Sequence, residues 1–434
     1  MDTDSFAVSR ASRLVIAVLV AVGLVVGGMA TVGGAADAGD TTGVSAKEIK
    51  LGYIFSETGI AGSTFKNAGK AFQARINRAN AEGGVSGRKI VTEIIDDGGS
   101  VNNLQAAQDL VQNREVFAVV NNSSFAFLGY RFLLENGVPM VGGGYDGNEY
   151  GQPGNEDLIS ILGNTAPVYG VQYTGLPKVM KKLGAEKIAA VAYGISASST
   201  AAAENLQEFA VPAVGLEAVY TNTTVEFGTT DVGPLVLGMK NAGADGVYLP
   251  MVASSNFAVL ATAAQNGLAF KAAVLATGYG QDLLDQPIAA QLGPEVVLAQ
   301  GWAPVELQTK ATKQFRADLK KYADYDGVPD FGQYTGYLTA DLALKGLAAA
   351  GENPTRQGFI DATKGLGTWD AAGMSCQPVD VSRENFGKPP AQSCGWYLQV
   401  KDGEFVTYPA NGKPTTGKII QETTTATTTT APAG

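Results

Sequence analysis

The sequence predicts an α/β protein made of two successive doubly wound parallel sheets. Three observations carry this. Short apolar runs that end in polar or glycine-rich turns alternate with amphipathic helical stretches. The alternation runs from Lys50 to Tyr145 and restarts at Lys187. Glycine accounts for 55 of 434 residues, well above the usual ~7%, as many short units joined by turns require.

The elements follow in order. Lys50 to Phe55 reads as a first strand and Ser56 to Gly59 as a loop. From Ser63, the residues Phe65, Ala68, Phe72, Ile76 and Ala79 recur at helical spacing until Gly83-Gly84 stops the helix. Lys89 to Ile95 is a second strand, with Asn102 to Asn113 as the next helix. Val116 to Val120 is continuously apolar, as in a strand buried on both faces. A helix to Asn136 and a strand from Pro139 complete the first sheet. The second sheet takes strands from Lys187 to Tyr193, Leu216 to Tyr220, Gly246 to Leu249, Ala272 to Ala276 and Val296 to Trp302. Its helices fall near Ser199 to Phe209, Val232 to Ala242 and Ser255 to Asn266. Helices near Thr312 to Tyr322, Gln333 to Ala350 and Thr355 to Lys364 come next, and a hairpin turns over Lys401-Asp402-Gly403.

Composition removes several function classes. Lys plus Arg is 31 against 41 for Asp plus Glu, a formal charge of -10. Phosphate binding needs a basic surface, so no nucleic-acid partner is expected. The chain holds no histidine, which removes His-based triads and zinc sites. Two cysteines are too few for a four-cysteine zinc or iron–sulfur site. No metal or other cofactor is expected.

The amino terminus reads as an export signal over residues 1–38. Arg10 and Arg13 precede the uncharged run Leu14 to Val32, and Ala36-Asp37-Ala38 fits a small-residue cleavage site. A retained membrane anchor is the alternative. No cysteine lies near the site, so a lipoprotein is not expected. In an oxidising compartment Cys376 and Cys394 are expected to form one disulfide, against the alternative of two separate buried thiols. Residues 413–434, with the run TTTATTTTAPAG, read as a disordered Thr-rich tail.

Ligands of such sheets bind at the carboxyl ends of strands. This singles out the loops holding Thr58, Ser123 and Ser124, Gly144 and Tyr145, Ser198, Met251 and Tyr279. The hydroxyls of Ser123 and Ser124, at a helix start, suit an anionic group or a plain N-cap. Tyr145, Tyr193 and Tyr279 stand just past three strands, where aromatics line clefts. Asp96-Asp97 is read as a strand-end turn rather than an acid–base pair. Gly142-x-Gly144-x-x-Gly147 lacks the helix of a dinucleotide site, and Gly412-x4-Gly417-Lys418 lacks the Ser or Thr of a phosphate loop.

The segments IKLGYIFSETG, NRANAEGGVSGRKIVTEIIDDGGS, QAAQDLVQNREVFAVVNNSSF, ENGVPMVGGG, TTDVGPLVLGMKNAGADGVYLP and GWAPVE occur in that order. Together they resemble the type I periplasmic binding proteins of ABC importers, the Leu/Ile/Val-binding-like family, over residues 46 to 410. The resemblance implies two lobes joined by a three-crossing hinge, with lobe 1 at 45–163 and 304–367 and lobe 2 at 164–303 and 368–412. It implies capture of a small polar or amphipathic solute, amino-acid-like, amide or carboxylate, for a membrane permease, with no catalysis. Ser123 or Ser124 matches the serine that holds a ligand carboxylate, and Gly143 to Tyr145 a backbone contact segment. Ser198 and Met251 fall near family tyrosines. Tyr279 stands where amino-acid binders place the acid that pairs with the ligand ammonium, which puts an ordinary α-amino acid in doubt. A sensor module for a receptor and a secreted carboxylate-based enzyme are the alternatives. Contact with a membrane is expected only through the partner or an uncleaved anchor, and the protein is placed outside the cytoplasm, in the periplasm or at the cell surface.

Overall fold

The computed structural model describes residues 39–99, 102–165 and 170–421. The expected export signal and the tail from Thr423 lie outside the described residues. The first sheet holds β1 (Glu48–Phe55), β2 (Lys89–Asp96), β3 (Ala118–Asn122), β4 (Met140–Gly142) and β5 (Ile159–Ser160). All pair in parallel, in the order β2-β1-β3-β4-β5. Between them run α1 (Gly62–Phe65), α2 (Ala68–Ala81), α3 (Asn103–Gln112) and α4 (Ala126–Glu135). Every residue of β3 is buried, as its unbroken apolar run predicts. Helix α2 ends where Gly84, at φ +75°, lets its N–H reach Ala79 O at 2.8 Å.

The chain then builds the second sheet through β6 (Val171–Tyr173), α5 (Gly175–Lys182), β7 (Lys187–Tyr193), α6 (Ala197–Asn205), α7 (Val211–Ala213) and β8 (Glu217–Val225). It continues through α8 (Gly233–Asn241), β9 (Gly246–Leu249), α9 (Ala253–Gln265), β10 (Ala272–Leu275), α10 (Gln281–Leu284) and β11 (Val296–Gln300). A π-helical turn, Leu206–Ala210, lies between α6 and α7. Helices α11 (Lys310–Ala323), α12 (Phe331–Ala350) and α13 (Arg356–Gly365) return to the first lobe, where α11 and α12 pack on α2. A short pair, β12 (Thr368–Trp369) with β13 (Val379–Asp380), follows. Strands β14 (Gln392–Lys401), β15 (Glu404–Tyr408) and β16 (Thr415–Gln421) then complete the second sheet. Its order is β6-β16-β14-β11-β10-β9-β7-β8, with β15 beside β14. The pairs from β11 to β8 are parallel, and the added strands are antiparallel.

Two boundaries differ from the sequence reading. The return to the second lobe was expected at residue 368, yet Trp369 donates its indole N–H to Asp341 of α12 at 3.0 Å, and Val381 N bonds Gly367 O at 3.0 Å. The chain thus stays against the first lobe until past Val381. Residues from 413 were expected to be disordered, but Thr415–Gln421 form β16, which satisfies the open edge between β14 and β6. Cys376 and Cys394 are bonded across this last crossing, with Cα atoms 6.2 Å apart.

The long buried helix α12 lies close enough to α1 and α2 that its glycines are needed. A Cβ on Gly336 would sit 2.2 Å from Ala68 O, and one on Gly332 would sit 2.9 Å from Phe65 Cα. Gly336→Ala is therefore expected to destabilise the protein by about 1–3 kcal/mol or more, read as a lower urea midpoint. Reduction of Cys376–Cys394, which spans 18 positions, is expected to cost on the order of 3 kcal/mol by the same measurement.

Candidate functional site

The carboxyl ends of both sheets open onto one cavity of about 960 Å³. From the first lobe come Ser124 after β3 and Gly144, Tyr145 and Asp146 after β4. From the second come Tyr193, Ser198, Met251 and Thr277, each at or just past a strand or at the head of α6. The crossings add Trp302, Phe331 and the disulfide segment around Cys376 and Cys394. One wall is aromatic. Phe65 and Tyr145 lie 5.2 Å apart, and Phe331 meets Tyr145 and Phe65 at 5.5 Å and Trp302 at 6.0 Å. The Tyr145 hydroxyl donates to Asn122 Oδ1 at 2.6 Å, which fixes its ring.

The lobes meet along one rim of the cavity. The first two backbone N–H groups of α9 have no partner within their own helix. Ala253 N instead donates to Thr64 Oγ1 at 3.2 Å and Ser254 N to Ser63 Oγ at 3.4 Å. Ser198 Oγ donates to Tyr145 O at 2.7 Å. Phe125 and Phe227 pack at 5.1 Å between the lobes. This is a closed arrangement.

The sequence-predicted residues divide in two. Ser124, Gly144, Tyr145, Ser198 and Met251 line the cavity. Thr58, Ser123 and Tyr279 do not. Thr58 donates its hydroxyl to Asp96 Oδ2 at 2.6 Å in an exposed turn. Ser123 is fully buried and bonds Asp97, Ser56 and the Phe125 N–H, so it is a structural link beneath the site. Tyr279 lies off the cavity, between two glycines at φ +118° and +145°. Its hydroxyl donates to Glu306 Oε2 at 2.8 Å within the core. Asp96 and Asp97 hold their loops, as the turn reading expected: Asp96 accepts Glu57 N and Gly98 N, and Asp97 accepts Asn103 Nδ2.

Asp146 went unnoticed because it follows Tyr145 in a glycine-rich turn that carries no motif. Burial pushes its carboxyl up to about 6, with Ser196 and Ser124 nearby holding it down. Glu149, 2% exposed, has no hydrogen bond to either carboxylate oxygen. Burial and then the charge of Asp146 push it up to about 7. Burial also pushes Asp330, the N-cap of α12, up to about 6. Phe331, Trp302 and the 375–395 segment were also missed, because only the fold brings them to the strand ends.

These shifts set the pH dependence. Unfolded carboxylates titrate near pH 4. Between about pH 5 and 7 these three groups hold protons in the folded protein that the unfolded chain has released, so their contribution to stability falls as pH rises. With no histidine in the chain, no ordinary side chain titrates in that window to mask it. The melting temperature without solute should fall from pH 5 to pH 8, and Asp146→Asn with Glu149→Gln should flatten the profile. An unchanged slope in the double variant would count against this assignment.

The periplasmic binding protein family model matches residues 48–404. The Leu/Ile/Val-binding protein homolog 8 of Brucella melitensis is 25% identical over 84% of this chain and 91% of that protein. A fatty acid ABC transporter substrate-binding protein from Thermomonospora curvata superposes with a TM-score of 0.66 at 20% identity, over 88% of this chain and 95% of that one. The branched-chain amino acid transporter binding protein LivJ of Streptococcus pneumoniae, solved with isoleucine, also gives 0.66 at 18% identity, over 83% and 98%. The fold, the two sheets that meet at one cavity and the match over most of the chain agree: this protein belongs to the periplasmic binding protein family.

Proposed function

We propose that the protein is an exported solute-binding protein of an ABC importer, which captures a small amphipathic solute between its lobes and delivers it to a membrane permease. The cavity at the carboxyl edges of both sheets carries the reading. Its aromatic wall offers an apolar body a place to pack, and its serines and Asp146 offer a polar head a place to bond. By the resemblance Tyr279 stands at the acid position of the amino-acid binders, and its hydroxyl is held by Glu306. The reading involves no chemistry on the solute. It needs only that solute favour the closed state over the open one.

The rim contacts supply the closing device. In the closed form Thr64 and Ser63 cap the head of α9 from across the cleft. Capping hydroxyls are worth about 1 kcal/mol. Thr64→Val keeps the shape and removes the acceptor, so it should weaken solute binding several-fold and lessen compaction in small-angle scattering. Bound solute at one hundred times its Kd should stabilise the wild-type protein by about 2.7 kcal/mol, read as a higher melting temperature. Saturating solute with no compaction would argue for a fixed pocket. Pull-down of a receptor rather than a permease would favour the sensor reading.

A further inference from the structure

The structure assigns a chemical class to the solute, resting on the solute-binding reading above. We propose that the protein takes a solute bearing a cationic ammonium group, held by Asp146 and Ser124 against the aromatic wall of Phe65, Tyr145, Phe331 and Trp302.

Three observations converge. Asp146 lines the cavity and forms no ion pair among the described residues; the groups beside its carboxylate are the hydroxyls of Ser196 and Ser124. Ser124, 1% exposed, also lines the cavity, and its hydroxyl oxygen accepts no hydrogen bond among the described residues. A buried hydroxyl left open at a cavity wall is costly unless a ligand completes it. Close by is Glu149, whose carboxyl is buried without hydrogen bond or ion pair among the described residues, so the protein supplies no cation there. An acid at the cavity wall without a countercharge disfavours an anionic head and favours a positive one.

The wall beside them suits the same charge. Phe65, Tyr145 and Phe331 are in mutual contact, Trp302 joins them through Phe331, and all four line the same cavity as Asp146. Ring faces attract cations, and a carboxylate within an aromatic enclosure is the chemistry that recognises amines. The other charged groups on the lining do not cancel this. Asp380 is taken up by Asn164, Ser382 and Asn385, and Lys388 is exposed. The serine expected to hold a ligand carboxylate thus stands beside an acid, and its role inverts: its hydroxyl oxygen accepts from an ammonium N–H.

The test uses the mature protein with its disulfide intact, unfolded and refolded to remove any carried solute. Titration calorimetry would compare phenethylamine, n-hexylamine, agmatine and choline with phenylpropionate, hexanoate and phenylpropionamide. At least one ammonium compound should bind at least tenfold more tightly than the acid or amide of like body. Asp146→Asn should lose that binding roughly 10- to 100-fold. It should still fold, because the amide keeps the side chain's shape and an oxygen that the Ser196 and Ser124 hydroxyls can bond. Phe331→Leu keeps an apolar surface and removes a ring, so it should weaken the ammonium compound more than hexanoate. Binding of an acid or amide with no ammonium compound bound would overturn the cationic assignment and leave the solute-binding reading standing. Binding of none at millimolar concentration would count against both.

Discussion

Helix α12 can lie where it does because two of its residues have no side chain. Gly332 and Gly336 let its backbone press against α1 and α2 at distances that leave no room for a Cβ. Much of the molecule hangs on that contact. The head of the helix delivers Phe331 to the cavity, and Tyr334 bonds Ala303 O on the crossing that leaves β11. Thr335 accepts from Asn122, the same residue whose oxygen holds the Tyr145 hydroxyl. One close helix contact therefore fixes the aromatic wall, one hinge segment and the base of the site.

Much of the fold could be read from the sequence because its elements obey local rules. Strands β1, β3 and β7 are apolar runs ending in polar turns, and α2 repeats its buried residues until two glycines stop it. The elements that were missed have no such local signal. Strand β16 is polar and Thr-rich, and only the edges of β14 and β6 make it a strand. Helix α5 begins at Gly175 with Pro177 in its first turn and is short, so its composition reads as a loop.

The site was legible in position more than in detail. Five of the eight residues expected to contact solute line the cavity at the strand ends. The three that lie off the cavity share one trait. Thr58, Ser123 and Tyr279 sit in the expected loops, but each side chain finds a partner inside the protein: Asp96, Asp97 and Glu306. Sequence gives the loop; the internal partners decide which way a side chain turns. Asp146 is the converse, an acid that pairs with no cation among the described residues and lines the cavity.

That asymmetry separates residues that hold the structure from residues kept for a ligand. Asp97 is as buried as a carboxylate can be, yet Ser56, Ser123, Asn103 and the Gly99 N–H answer it. The Asp318 and Asp341 carboxylates on α11 and α12 are answered by Arg78 and Arg75. Acids at the core of this protein are thus supplied with donors or cations wherever they serve packing. Glu149 breaks that pattern, with neither donor nor cation among the described residues, and Asp146 at the cavity wall is met by serine hydroxyls but no cation. Folding stability alone gives no reason to keep two such charges together, since an amide or apolar side chain would cost less. A partner that arrives with the solute gives one.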